Sequence, residues 1–356
     1  MDLSQRAPLW IVATGVIAAG LFFLREPLTQ FALALILWLA IDGLAETLDK
    51  RMPLIPRWLA LPIALVLVLS LVALVGFVVV QNIGAMAGDY STYETRINSM
   101  LSEGYAMLGL GGAPPTLANL IARLDPAQIA TEVGQGLRAM ASDVVFILIF
   151  LGFMFSAAAL MPRKLDFIFG RGPQREAARE VFQRIRVSME RYLWVQTVIS
   201  LIITLLTYIT LTLIGVHNAL FWSFVIFFLN YIPTIGSIVA TILAIAAALV
   251  QFDTIGPIIA TGVGVGAWQF LVGNFIQPRM TGDSLNLSAV VVLLALAIWG
   301  TIWGIAGAFL AAPLTVMLMI VLAQFQSTRW IAILLSADGR PIPKNGALNK
   351  SDAQTN

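Results

Sequence analysis

Charge is what this chain has least of: Asp, Glu, Lys and Arg make up 11% of its 356 residues, against roughly 25% in soluble domains. So few charges cannot cover a water-facing surface, which excludes an ordinary soluble enzyme. Cysteine is absent altogether, so disulfides, iron–sulfur clusters and thiolate chemistry are excluded. A single histidine, His217, leaves no basis for a histidine-built zinc site or for haem ligation. The formal net charge of +2 gives no footprint for nucleic acid.

What is present in excess is hydrocarbon, at 59% of residues. Pro8–Leu24 is apolar and just long enough to cross a bilayer core of about 30 Å. Its flank holds only Arg6 against Asp2, and a second apolar run follows at once after Arg25-Glu26-Pro27, so it reads as a first membrane span rather than a signal peptide. Further apolar segments are Pro27–Ile41, Trp58–Val80, Ser142–Met161, Tyr192–Gly215, Ala219–Val250, Ile255–Ile276 and Ser288–Gln324. The pattern predicts an all-α integral membrane protein of about eight transmembrane helices, with broken or re-entrant segments in its C-terminal half.

The few charges orient it. Pro162–Arg191 carries eight basic residues against four acidic ones, and Gln81–Ala141 three basic against five acidic. Lys and Arg favour the cytoplasmic side, so both termini and residues 162–191 are expected inside and residues 81–141 outside. The expected organisation is therefore three early spans (1–80), an extracytoplasmic amphipathic helical region (81–141), a fourth span (142–161), a cytoplasmic basic amphipathic helix (162–191), a transport core (192–325) and a cytoplasmic tail (326–356).

In the outer interval Met86, Tyr90, Tyr93, Ile97 and Met100 make one helical stripe, broken at Gly111–Pro115. Asp125-Pro126 reads as an N-cap followed by a first-turn proline. Ile129, Val133, Leu137, Met140 and Val144 then run into the fourth span, so one helix over Pro126–Met161 is expected to reach about 54 Å. Inside, Val181, Phe182, Ile185 and Met189 form the apolar side of a surface helix at Gln174–Arg191 that ties the fourth span to the fifth.

Buried ionisable groups would mark a coupled pump, and they are scarce. Asp42 and Asp143 fall at span ends, where capping or interfacial roles suffice. Neutral polar groups are better represented: Thr197, Ser200, Thr204, Thr207 and Tyr208 share a face of the fifth span. In Asn230-Tyr231-Ile232-Pro233-Thr234-Ile235-Gly236-Ser237, proline removes an amide donor in mid-run and frees a carbonyl. In hydrocarbon such a group needs protein or a water-lined cavity, the arrangement by which transporters expose backbone to substrates. Gly262 and Gly266 make a close-packing edge. Gln269, Asn274 and Gln277 follow, then the polar run from Pro278 and Arg279 to Gly282 and Asp283. Gly300, Gly304 and Gly307 form a second break, and Pro313 a kink. Two topologies fit. Either Ala219–Val250 is a re-entrant hairpin with the Arg279 loop cytoplasmic and Ser288–Thr301 a short full crossing, or Ala219–Val250 crosses once and Ser288–Thr301 is re-entrant.

At these residues the sequence resembles the AI-2E family of membrane permeases, the autoinducer-2 exporter-like proteins. The resemblance rests on NYIPTIGS at Asn230–Ser237, QPRMTGDSLNLS at Gln277–Ser288 and WGTIWGIAGAFLAAPL at Trp299–Leu314. It covers nearly the whole chain and is most specific in the last third. Ala289 departs from it, standing where relatives often have proline. The resemblance implies a bacterial inner-membrane, multi-pass homo-oligomer whose partners are the lipid bilayer and a small-molecule solute, with no cofactor. Some members are linked to autoinducer-2 export and others to sodium/proton exchange.

The reading that follows is a permease or exporter of a small solute, an autoinducer-2-like signal or another polar metabolite. Its path is expected along Asn230, Tyr231, Pro233, Gly236, Gln269, Asn274, Gln277, Pro278, Arg279, Gly282 and Asp283. Gly262, Gly266, Gly300, Gly304, Gly307 and Pro313 serve packing or hinging. Alternatives are a Na+(Li+)/H+ antiporter, which would need a deep carboxylate, and a structural or regulatory oligomeric scaffold. No enzyme is expected: neither a G-x-S-G motif nor a phosphate-binding G-x-x-x-x-G-K-[ST] loop occurs.

Overall fold

The computed structural model describes residues 12, 15–51, 56–88, 90–107, 109, 114, 116, 118–119, 126–170, 172–281 and 286–340. Every regular element among them is helical. Residues 15–23 are helical, followed by α1 (Arg25–Arg51), α2 (Arg57–Gly88), α3 (Tyr90–Met107), α4 (Pro126–Phe169) and α5 (Pro173–Ile214). Then come α6 (Ala219–Leu229), α7 (Ile235–Gln251) and α8 (Ile255–Leu271), a π-turn at Val272–Ile276, α9 (Gln277–Thr281), α10 (Ala289–Leu322) and α11 (Arg329–Leu335). By length and composition six helices could cross a membrane: 25–50, 58–78, 142–169, 173–214, 255–280 and 289–322.

Several boundaries move outward from those the sequence suggested. Helix α1 tolerates Pro27 because a first-turn proline lacks only an N–H that would have no helical partner. It runs on to Arg51, ten residues beyond the Ile41 end of the apolar run. Helix α4 passes beyond Met161 for 44 residues in all, about 66 Å. The surface helix expected at 174–191 and the fifth span are one 42-residue helix, α5. The reason is local: Gly170 (φ 64°) ends α4, Pro173 opens α5, and no glycine or proline follows until Gly215 (φ 85°). In the outer interval, the side chains of Met86, Tyr90, Tyr93, Ile129, Val133, Leu137 and Met140, most of the Gly111–Pro115 break and Asp125 lie outside the described residues.

The chain divides into two compact units, one of residues 1–47, 146–197 and 277–356, the other of 48–145 and 198–276. In the second unit α6 and α7 fold back as a helical hairpin. At its base one side chain closes the two ends: Gln251 Nε2 donates to the Gly215 carbonyl at 2.8 Å, and its Oε1 accepts the His217 N–H at 2.6 Å. Helix α8 returns along α7, with Ile245 against Gly262 and Thr241 against Gly266. Arg96 of α3 binds the connection beyond the base, its guanidinium 3.1 Å from Asp253 and 2.9 Å from the Phe252 carbonyl.

The first unit contains a second hairpin. Gly304 (φ 63°, ψ −141°) breaks α10 with a backbone conformation that excludes other residues. Trp299 Nε1 then donates to Thr315 Oγ1 at 3.3 Å, although the two residues are 16 positions apart. On a straight helix that separation would be about 24 Å. Leu287, Leu322 and Leu335 pack on Met319, Ala323 and Ala332 at the foot. Beside them Asn286 donates to Asp338 at 2.8 Å. That bond, with the Arg340 N–H, holds the exposed Asp338 carboxyl below the usual carboxylate range. Both interrupted segments therefore reverse direction, as the topology with a re-entrant Ala219–Val250 expects; the other, in which Ala219–Val250 crosses once as a broken helix, does not fit the closed base at Gln251.

Candidate functional site

The tip of the α6–α7 hairpin is built by the failure of a helix. The N–H groups of Asn230, Tyr231 and Ile232 are still bonded, to Ile226, Phe228 and Leu229, the last two in tightened turns. Pro233 then has no donor to offer. Thr234 takes φ 63°, ψ −57°, and the Ile235 N–H reaches the Pro233 carbonyl at 2.6 Å. This is a γ-turn of the rare, strained hand, formed on a β-branched residue. Such strain persists only where the surroundings impose it, and it concentrates at ligand sites.

Two positions hold the tip together. A Cβ on Gly236 would overlap the Leu229 carbonyl oxygen, so the outgoing and returning chains touch there backbone to backbone. Asn230 and Gln269 are both buried, and Gln269 Nε2 donates to Asn230 Oδ1 at 3.1 Å. Tyr231 is buried beside Phe227. The α8 helix loosens into the π-turn Val272–Ile276 directly after Gln269, a distortion common near functional sites.

Asn274 lies in the π-turn but is exposed and donates to the Phe270 carbonyl at 2.9 Å. Gln277, Pro278 and Arg279 begin α9, in the first unit, with Pro278 and Arg279 exposed. Gly282 and Asp283 lie outside the described residues. In the second hairpin Gly307 repeats the device of Gly236, since a Cβ there would overlap the Trp299 carbonyl oxygen. Gly300 faces Ala308, and Pro313 is buried in the returning arm.

Some arrangements give little signal in sequence. Asp42, read as an end-of-span charge, lies 2.6 Å from Arg186, whose guanidinium also meets Glu46 at 3.0 Å and Glu190 at 2.7 Å. Gly43 leaves room for the Glu190 side chain. Asp143 is exposed. Among the described residues no group of three or more His, Cys, Asp or Glu could hold a metal ion. The outward surface is hydrocarbon: Leu201, Leu205, Ile209 and Leu213 recur every fourth residue of α5, and all four are exposed, which fits lipid rather than water.

The long apolar helices with their lipid-compatible faces define a multi-pass membrane protein. The profile of the AI-2E family transporters matches residues 11–327, and the chain belongs to that family. It is 30% identical over 341 residues to a Haemophilus influenzae protein named as a transport protein without a stated substrate, covering 93% of this chain and 96% of the relative. It is 29% identical to the AI-2 transport protein TqsA of Escherichia coli, covering 90% and 92%. It is also 29% identical to the transport protein YhhT of the same bacterium, covering 92% of each.

Proposed function

We propose that the chain is a permease that exports a small polar solute, recognised in part at the tip of the α6–α7 hairpin. The observation that carries this reading is the buried Asn230–Gln269 amide pair beside the strained Thr234 turn, set in a hairpin without a charged residue between Ala219 and Gln251. Buried neutral amides orient a solute by hydrogen bonds, and an interrupted helix supplies further backbone partners. An autoinducer-2-like molecule is the first solute to test, given the name of the Escherichia coli relative.

The hairpin geometry also supports a membrane arrangement. The ends of α6 and α7 meet through Gln251, so the pair enters and leaves on one side. With the apolar run at residues 8–24 counted from its sequence and α10 taken as a hairpin open to one side, α1, α2, α4, α5 and α8 make up six crossings, which leave both termini on the side of the basic residues, the cytoplasm. The Arg279 segment falls on that side too. A deep carboxylate for cation exchange has weaker support, because Asp42 is engaged by Arg186.

Metabolite profiling of cells and medium, with and without the gene and with autoinducer-2 included, tests the function. Intracellular accumulation of a solute in the deletion strain, reversed by the wild-type gene but not by a Gln269→Leu variant of equal abundance, is the expected result. An unchanged profile would leave the scaffold reading in possession.

A further inference from the structure

Residues 326–356 are expected from sequence to form a cytoplasmic tail. A segment surrounded by water should show polar side chains, yet between Ala323 and Leu335 the one charged residue is Arg329. In the structure α10 ends at Leu322, tight turns follow, and α11 folds back on the foot of the second hairpin. Thr328 holds the reversal, its hydroxyl donating to the Leu322 carbonyl at 2.8 Å.

Helix α11 is held on one face. Ala332 is 0% exposed and packs with Met319 and Ala323. Its end is stitched to the entry of α10: the Ser288 N–H donates to the Leu335 carbonyl at 3.1 Å, and the Ala337 N–H to the Asn286 carbonyl at 3.0 Å. Trp330, Ile333 and Leu334 share another face, at the i, i+3, i+4 spacing. They are 60%, 41% and 67% exposed. The helix is therefore apolar on both faces, and the chain covers one of them.

What meets the other face follows from its place. Leu318 and Val321 are exposed on the returning arm of the hairpin, part of a helix long and apolar enough to cross a membrane. Phe325 and Trp330, also exposed, carry that apolar surface past the end of α10 and onto α11. Hydrocarbon continuous with a membrane segment is stabilised by staying in lipid. The residue types suit the boundary. A Trp ring rests at headgroup level, one edge apolar and one wet, and the exposed Arg329 beside it has the reach to bring its guanidinium to the phosphates. The residues after Arg340 offer only Ile342 and Leu348 as large apolar side chains, too few to cover this face.

We propose that α11 is an interfacial anchor. Its Trp330–Ile333–Leu334 face lies in the bilayer leaflet at which the second hairpin opens, the cytoplasmic one in the arrangement proposed above, and fixes the foot of that hairpin to the membrane surface. The anchor goes beyond the transport reading and stands independently of it.

The absence of cysteine allows single-site labelling. Leu334→Cys in the full chain carries an environment-sensitive fluorophore, and the purified protein is placed in lipid nanodiscs, whose two faces both meet solvent. Ala177→Cys, exposed in the basic stretch of α5, is the water reference, and Leu205→Cys, on the apolar face of the same helix, is the lipid reference. Iodide reports contact with water, and a doxyl group near the headgroup end of the acyl chain reports contact with lipid. Iodide should quench position 334 at least about threefold less than position 177, and the doxyl lipid should quench it to within about twofold of position 205.

Iodide quenching equal to that at position 177 overturns the anchor. So does a label shielded from iodide yet untouched by the doxyl lipid, which is the result for a face covered by a second copy of the chain or by another protein. Ile333→Cys, on the same face, carries the same test if the Leu334 variant does not assemble.

Discussion

Gln269 reaches from α8 to the broken end of α6 and gives its Nε2 proton to Asn230 Oδ1 across 3.1 Å. The two residues are 39 positions apart, so this bond anchors the hairpin tip to the helix that follows it. Gln269→Leu removes the donor and leaves a buried acceptor short of a partner. Stability should fall by about 1–3 kcal/mol, seen as a lower midpoint of thermal unfolding in detergent. Adding Asn230→Leu should restore part of the midpoint but none of the efflux, which separates holding the tip from serving the solute.

Glycine at position 236 is a steric requirement. Gly236→Ala places a methyl group on the Leu229 carbonyl oxygen and should cost about 2 kcal/mol or more by forcing the hairpin arms apart. Gly273→Ala, in the π-turn and with nothing within 4 Å of its Cβ position, should be tolerated. Thermal unfolding of both variants checks the contrast, and equal midpoints would contradict the close approach at the tip.

Thr234 stores strain that glycine would release. Left-handed backbone at a β-branched residue costs on the order of 1–3 kcal/mol, against about 0.5–1 kcal/mol for the extra freedom of glycine in the unfolded chain. Thr234→Gly should therefore leave the protein as stable or more so. If the strained turn shapes the solute contact, efflux from this variant should drop several-fold while the thermal midpoint holds or rises.

Arg186 gathers Asp42, Glu46 and Glu190, and Arg186→Gln leaves three carboxylates facing one another. The arginine side chain is 34% exposed, so solvent screening limits the loss to about 1 kcal/mol. The pH dependence gives the sign. Protonating the carboxylates relieves repulsion in the variant but removes attraction in the wild type. The gap between their thermal midpoints should therefore narrow as pH falls, and a gap independent of pH would show that the cluster contributes no charge pairing.

Composition was enough to read an all-helical membrane protein, because 11% charge admits little else. Proline 233, Gly236 and Gly304 marked the breaks, since each changes what the local backbone can do. Whether a break makes a kink or a full reversal is decided by contacts distant in sequence. Gln251 closes on residues 34 and 36 positions earlier, and Trp299 finds Thr315 across the second turn. Neither partnership has a periodic signature. Arg186 and Glu46 are 140 positions apart, which is why Asp42 and its neighbours read only as charges at span ends. The run from Asn230 to Gly236 was legible as a candidate; the strain at Thr234 was not, because threonine is an ordinary residue until its φ is known.

The hairpin base has a bearing on biosynthesis. Between Ala219 and Gln251 there is no charged side chain, and Gln251 ties the last turn of α7 to the residues just before α6. Such a loop has no ion to translocate and no end to deliver to the far side. If it is re-entrant, as proposed above, it can enter the bilayer after the flanking helices are in place, the backbone bonds of its arms already made. The Asn230–Thr234 tip is then the stretch of the hairpin whose polar groups resist entry, so an amide partner such as Gln269 would be a condition for completing insertion, apart from any part it plays in transport.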